Sequence, residues 1–174
     1  QKARALTGAQ HDGLAGLVTP FVYRKYLDFD AYEGLRDVHA QIREQGARVI
    51  LCEPTLAARN AACAAVQEQT GAELIHPYDD ARVIAGQGTA ALELVEQAGP
   101  FDAVIAPVSG GGLLSGTAIA THGLDPGVRV LGGEPAQAAD AHASLRRGAL
   151  VTDIIPDTIA DGLRAQLCAR TYAI

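Results

Sequence analysis

Residues 101–122 read FDAVIAPVSGGGLLSGTAIATH. Ala103 to Val108 is apolar and β-branched, the composition of a buried strand in a parallel sheet. The run breaks on Ser109-Gly110-Gly111-Gly112 and resumes at Leu113 with small and apolar residues at helical spacing. Three glycines between a strand and a helix allow a tight turn and keep β-carbons away from a ligand. The first amides of the helix have no partner inside it, and the positive end of the helix dipole lies behind them. The stretch therefore predicts a phosphate cradle at a strand–turn–helix junction. A solvated Gly-rich linker would not be bounded by a buried strand on one side and a helix start on the other.

The pattern on either side extends this unit. Asp79-Asp80 predicts a helix start, with Leu92 and Val95 facing inward and Gly99-Pro100 as the stop. Downstream, Val128 to Leu131 predicts a strand and Ala138 to Arg147 a helix. Upstream, Arg48 to Cys52 predicts a strand, Thr55 to Gln69 an Ala-rich helix closed by Gly71, and Ala72 to Ile75 another strand. Asp30 and Glu33 resemble a capping box, Tyr32, Leu35, Val38 and Ile42 share one helix face, and Gly46 fits the residue that ends it. Lys2 to Leu6 could open a helix that ends before Gly13, while Pro20 to Asp30 has no clean period. Strands alternating with helices over short connections argue an α/β fold, an open parallel sheet between two helical layers. Ligands in such sheets bind beyond the carboxyl ends of the strands. The glycine turn is at such an end, and Glu134 is at the next one.

The composition limits the partners. The 174 residues are 48% hydrophobic and 20% charged, as in an ordinary globular chain. A net charge of −6 argues against nucleic acid and anionic membrane surfaces. No apolar run has the length of a membrane span, and the opening QKARALTGAQ lacks a signal-peptide core. Cys52, Cys63 and Cys168 form no C-x-x-C pair and sit among apolar neighbours, so buried, reduced thiols in the cytoplasm are expected.

Two ligand classes fit the turn. Gly110-x-Gly112-x-x-x-Gly116 is a loosened dinucleotide fingerprint, with Glu134 placed as a ribose-binding carboxylate would be. Against that, several strand–helix units precede it, and three consecutive glycines after a serine suit a compact phosphate monoester. A family resemblance bears on this choice. Val83-Ile84-Ala85-Gly86-Gln87-Gly88-Thr89, Pro107 to Gly116 (PVSGGGLLSG), Gly133-Glu134-Pro135 and Thr158-Ile159-Ala160-Asp161-Gly162 occur in this order. Densely from Gly46 onward, the chain resembles the serine/threonine dehydratases and serine racemases, fold-type II pyridoxal phosphate (PLP) enzymes with a tryptophan synthase β-like sheet.

The resemblance implies site residues. Ser109 belongs to the cofactor loop, and the backbone amides of Gly110, Gly111, Gly112 and Leu113 would form the phosphate cup. Glu134, the carbonyl of Ala138 and the carboxylate of Asp140 match the ligands of a divalent cation, and an all-oxygen set suits Mg²⁺, Mn²⁺ or Ca²⁺. From the residues alone, the same two carboxylates read more simply as solvated groups at a helix N-terminus, stabilised by its dipole. Lys2, in Lys2-Ala3-Arg4-Ala5, matches the lysine that bonds the cofactor, although Ala5 stands where the family has glycine and Gln1 where it has an aromatic. His142, two residues past Asp140, reads as a solvated histidine, and His76 has no catalytic role in the family.

Two family elements are missing from this sequence. Val18-Thr19 runs into Pro20-Phe21 where a Ser-Ser-Gly-Asn-His loop is expected, and the strands that would supply the partner of the pyridine nitrogen do not follow Ile174. The sequence thus reads as a shortened family member, with residues 17–76 as an incomplete small domain and 1–16 plus 77–174 as the large one. The resemblance implies β-elimination of water and ammonia from L-serine or L-threonine, weak or absent here, and a homodimer. The alternatives are a serine racemase, a non-catalytic PLP- or phosphate-binding remnant, or a dinucleotide-binding module.

Overall fold

A computed structural model describes residues 17–18, 40–53 and 56–174. The chain divides into two compact units, Gln1–Ile75 and His76–Ile174. The expectations for Lys2, for the Asp30–Glu33 capping box, for Pro20 to Asp30, and for Tyr32, Leu35 and Val38 lie outside the described residues.

In the first unit, strand β1 (Leu17–Val18) pairs in parallel with β2 (Glu73–Leu74), Leu17 opposite Glu73. Helix α1, described over 40–44, ends as its sequence predicts. Gly46 adopts φ +83°, its amide reaches Arg43 O at 2.9 Å, and the Ala47 amide reaches Ile42 O at 3.3 Å. That pairing satisfies the last helical carbonyls through a left-handed residue, which glycine adopts without steric cost. Helix α2 (Leu56–Thr70) closes in the same manner on Gly71, at φ +69° with its amide 2.8 Å from Gln67 O. The strand expected over Arg48 to Cys52 does not form; residues 47–53 have no regular structure. An apolar run becomes a strand only against a ladder partner, and none pairs with it among the described residues. Cys52 is accordingly exposed and Cys63 and Cys168 half-buried, where three buried thiols were expected; all three are unpaired.

The second unit carries the glycine turn. Helix α3 (Ala81–Ala98) begins at Asp80, whose Oδ1 accepts from the Arg82 amide at 2.8 Å, and ends at Gly99. Its buried face is Ile84, Gly88 and Ala91; Leu92, expected inward, is 37% exposed. Strand β3 (Ala103–Pro107) pairs in parallel with β4 (Arg129–Gly133), Ala103 opposite Arg129 through to Pro107 opposite Gly133. Between them runs α4 (Gly112–Leu124), so β3–α4–β4 is a parallel crossover unit. Val104, Ala106 and Val108 are buried, whereas Ile105 is 71% exposed. Strand β3 is thus covered on one face, although its composition suits burial on both.

Where α3 crosses α4 its inward face is a glycine, because the two helices meet backbone to backbone at Gly88 and Gly116. A β-carbon on Gly88 would stand 2.8 Å from the carbonyl oxygen of Gly116, and one on Gly116 would stand 2.6 Å from the Gly88 nitrogen. Any side chain at either position would hold the helices apart. A 3-10 turn, Ala136–Ala138, follows β4 and leads into α5 (Asp140–Arg147). A second, Asp161–Leu163, precedes the short α6 (Ala169–Tyr172). No helix of the described residues is long and apolar enough to cross a membrane.

Candidate functional site

The site forms where β3 turns into α4. Val108 N still donates to Gly133 O at 3.1 Å, which extends the ladder to the edge of the sheet. Ser109 then takes φ +50° and Gly111 φ +86°, two left-handed residues that reverse the chain within one turn. Such backbone is strained for serine and natural for glycine. The Ser109 hydroxyl accepts from the Ala165 amide at 3.2 Å, fixing the strained residue to a distant segment.

The amides of the turn divide into two classes. Gly111 N donates to Val108 O at 2.9 Å and is engaged inside the turn. Ser115 N, the first intrahelical donor, reaches Gly111 O at 2.8 Å. The amides of Gly110, Gly112, Leu113 and Leu114 have no acceptor among the described residues. Of the four amides expected to form the cup, three are therefore open and the fourth braces the loop. Open amides at the start of a helix, with its dipole behind them, suit an anion.

These residues line a cavity of about 250 Å³. Its walls come from three stretches: Pro107 to Leu113, Pro77-Tyr78 with Gln87, and Gly162-Leu163. Among the described residues the lining holds no charged side chain, so neutral donors and the helix terminus are what these residues offer an anion. A phosphate monoester fits this donor set. The glycines are required by the protein's own packing as much as by any ligand. A β-carbon on Gly110 would strike the Tyr78 ring, one on Gly112 would come 2.9 Å from Tyr78 Cβ, and one on Gly111 would meet Leu167 and Thr171.

The Tyr78 ring is placed by its neighbours. Its centroid is 4.6 Å from that of His76, edge to face, and His76 Nδ1 accepts from the Asp79 amide at 2.9 Å. Arg170 Nε donates to Asp79 Oδ1 at 2.9 Å and holds that carboxyl below its ordinary range, tying α6 to the segment that leads into α3. Tyr78 and Thr171 were not singled out from the sequence, and neither falls in a motif that could have flagged it. Gln87 and Gly162 lay inside the quoted motifs without an assigned role.

The expected cation ligands lie apart from this cavity lining. Glu134 turns its carboxylate onto the start of α5, accepting from His142 N at 2.7 Å and Ala141 N at 3.3 Å. Both of its oxygens are thus committed to a helix terminus, which does not suit a ribose-binding role. Asp140 is 3% exposed and its Oδ2 accepts from the Leu167 amide at 2.9 Å. Burial pushes its carboxyl above the ordinary range, and the Leu167 amide draws it partly back. Ala138 is buried at the end of the 3-10 turn. One Asp140 oxygen, the Ala138 carbonyl and the remaining lone pairs of Glu134 are the donors left for an ion. Among the described residues no group of three or more His, Cys, Asp or Glu side chains forms a metal cluster. His142 is exposed, as expected for a solvated side chain.

Comparison with known proteins bears on the site as a whole. Residues 33–173 match the family model described as pyridoxal-phosphate dependent enzyme. The chain is 48% identical over 131 residues to beta-hydroxyaspartate dehydratase of Paracoccus denitrificans, a match that covers 75% of this chain and 42% of that protein. It is 46% identical over 129 residues to serine racemase of Arabidopsis thaliana, covering 74% and 39% respectively. The crystal structure of threonine deaminase from T.th. matches with a TM-score of 0.72 and 48% identity, over 78% of this chain and 46% of that one. The chain spans about two-fifths of the length of these curated relatives.

Proposed function

Taking as premise that this chain belongs to the pyridoxal-phosphate dependent enzymes and has their fold-type II α/β architecture, we propose that it handles a β-hydroxy amino acid by PLP-dependent elimination of water and ammonia. Serine, threonine and β-hydroxyaspartate, the amino acids named by its relatives, all carry a hydroxyl on the β-carbon. The observation that carries this reading is the set of open amides at Gly110, Gly112 and Leu113, which line one cavity with Gln87 and Gly162. Those amides would hold the cofactor phosphate, with Gly111 bracing the turn through Val108 and Ser109 fixing it to Ala165.

The cofactor, when bound, supplies an electron sink for the pair left when an α-proton is removed. Lys2, outside the described residues, would anchor the cofactor aldehyde and take that α-proton on its Nζ. A lysine does so only where desolvation lowers its pKa. Glu134, Ala138 O and Asp140 would hold a divalent cation within the cofactor-binding domain, using the Asp140 oxygen that Leu167 leaves free. Residues 1–16 and 77–174 would form the cofactor-binding domain and 17–76 the small one, in a homodimer. The unpaired thiols suit the reducing cytoplasm.

The second reading is racemisation, favoured by the match to a serine racemase. It needs a second base on the opposite face of the substrate, and the Ser-Ser-Gly-Asn-His sequence that would supply it does not follow Val18-Thr19. Elimination is therefore preferred.

An absorbance titration with PLP, followed by assays for 2-oxo acid release and for D-amino acid, tests the proposal. A visible imine band that is lost in Lys2→Ala, with 2-oxo acid formed from one of the three amino acids, supports it. PLP bound without product would leave a binding remnant. A band unchanged in Lys2→Ala would remove Lys2 from its role.

A further inference from the structure

We infer that Thr171, 61 residues from Gly110 in the chain, positions the glycine turn for its anion; the inference rests on reading that turn as a phosphate cup. Thr171 is 7% exposed and does not line the cavity. Its hydroxyl donates to Gly110 O at 2.9 Å. The Cys168 amide donates to the same hydroxyl oxygen at 3.2 Å, filling an acceptor position and leaving the proton to Gly110; the other carbonyl in reach, Cys168 O, is farther at 3.3 Å.

The peptide unit between Gly110 and Gly111 is thereby held at both ends. Thr171 takes its carbonyl, and Val108 O takes its amide at 2.9 Å. A peptide between two glycines has no side chain to restrain its rotation. Without anchors it would turn freely, and the flanking amides of Gly110 and Gly112 would turn with it. Those are two of the three open donors of the cup. The contact is also steric, since a β-carbon on Gly111 would stand 2.7 Å from Thr171 Cβ. Thr171 is a positioning residue: it sets where donors point and would touch neither cofactor nor substrate.

Titration calorimetry on the full chain tests this with PLP, inorganic phosphate and pyridoxal, which lacks the phosphate. Thr171→Val keeps the shape and removes the hydroxyl; Thr171→Ser keeps the hydroxyl and removes the methyl. Cys168→Ala removes the thiol at the start of α6 and keeps the bond to Gly110. Thr171→Val is expected to weaken PLP and phosphate by about three- to tenfold, the worth of one ordinary hydrogen bond. Pyridoxal affinity should not change, and Thr171→Ser and Cys168→Ala should bind PLP within about twofold of the parent chain. Equal phosphate affinity in Thr171→Val, a parallel loss of pyridoxal, or a loss in Thr171→Ser as large as in Thr171→Val would overturn the inference alone. A parent chain that binds neither PLP nor phosphate overturns the phosphate-cup reading, and this inference with it.

Discussion

Gly88 and Gly116 touch through their backbones: a β-carbon on the first would lie 2.8 Å from the carbonyl oxygen of the second. This contact sets how close α3 comes to α4, and Gln87 beside it enters the cavity wall. A side-chain-free crossing thus places a polar group of one helix near the open N-terminus of the other.

Gly88→Ala should destabilise the chain by about 1–3 kcal/mol, as overpacked contacts do. Helix propensity alone would give the opposite sign, because alanine is favoured over glycine by about 1 kcal/mol inside a helix. Gly86, in the same helix and with nothing within 4 Å of an added β-carbon, supplies the control. Gly86→Ala should stabilise by up to about 1 kcal/mol. Denaturant unfolding of both variants checks the contrast, and a stabilised Gly88→Ala would contradict the close crossing.

Asp80 gives α3 a pH dependence. Hydrogen bonds from Arg82 hold its carboxyl at about 2, below the ordinary 3.8. A carboxyl lowered on folding stabilises the folded state above its unfolded value, and the contribution fades as pH falls from 3.8 towards about 2. Asn at this position still caps the helix but does not titrate. Unfolding midpoints of the parent and Asp80→Asn chains should therefore converge as pH falls from about 5 to about 2. A constant difference across that range would show that Asp80 makes no titrating contribution.

If Glu134, Ala138 O and Asp140 hold a divalent cation, thermal unfolding should shift upward with Mg²⁺, Mn²⁺ or Ca²⁺ and return with a chelator. An ion at about a hundred times its dissociation constant adds about 2.7 kcal/mol. Glu134→Ala costs baseline stability of its own, because the Ala141 and His142 amides lose their acceptor. The informative quantity is the increment caused by the ion, which should vanish in Glu134→Ala. An increment of the same size in that variant would place the ion elsewhere.

What could be read from residues alone were the features that short stretches decide. Gly46 and Gly71 end their helices because a left-handed residue is needed there, and that requirement is local. The turn from β3 into α4 is visible because three glycines between apolar runs have few other uses. The run from Arg48 to Cys52 misled because a strand exists only with a partner, which no local pattern supplies. Leu92 misled because α3 meets its neighbour through Gly88, so the buried face runs through Ile84, Gly88 and Ala91 and leaves Leu92 partly outside it. Tyr78 and Thr171 stayed invisible for a related reason. Each meets the glycine turn through a contact distant in the chain, and neither carries chemistry that marks it beforehand.

The central claim is that the open amides after Val108 grip a phosphate monoester. The most direct test is the amide proton–nitrogen NMR spectrum of the chain titrated with PLP, and separately with inorganic phosphate. The signals of Gly110, Gly112 and Leu113 should move downfield and saturate with both, while Gly111, already bonded to Val108 O, moves least. Saturable binding that leaves those three amides unmoved, or shifts concentrated elsewhere in the chain, would contradict the account.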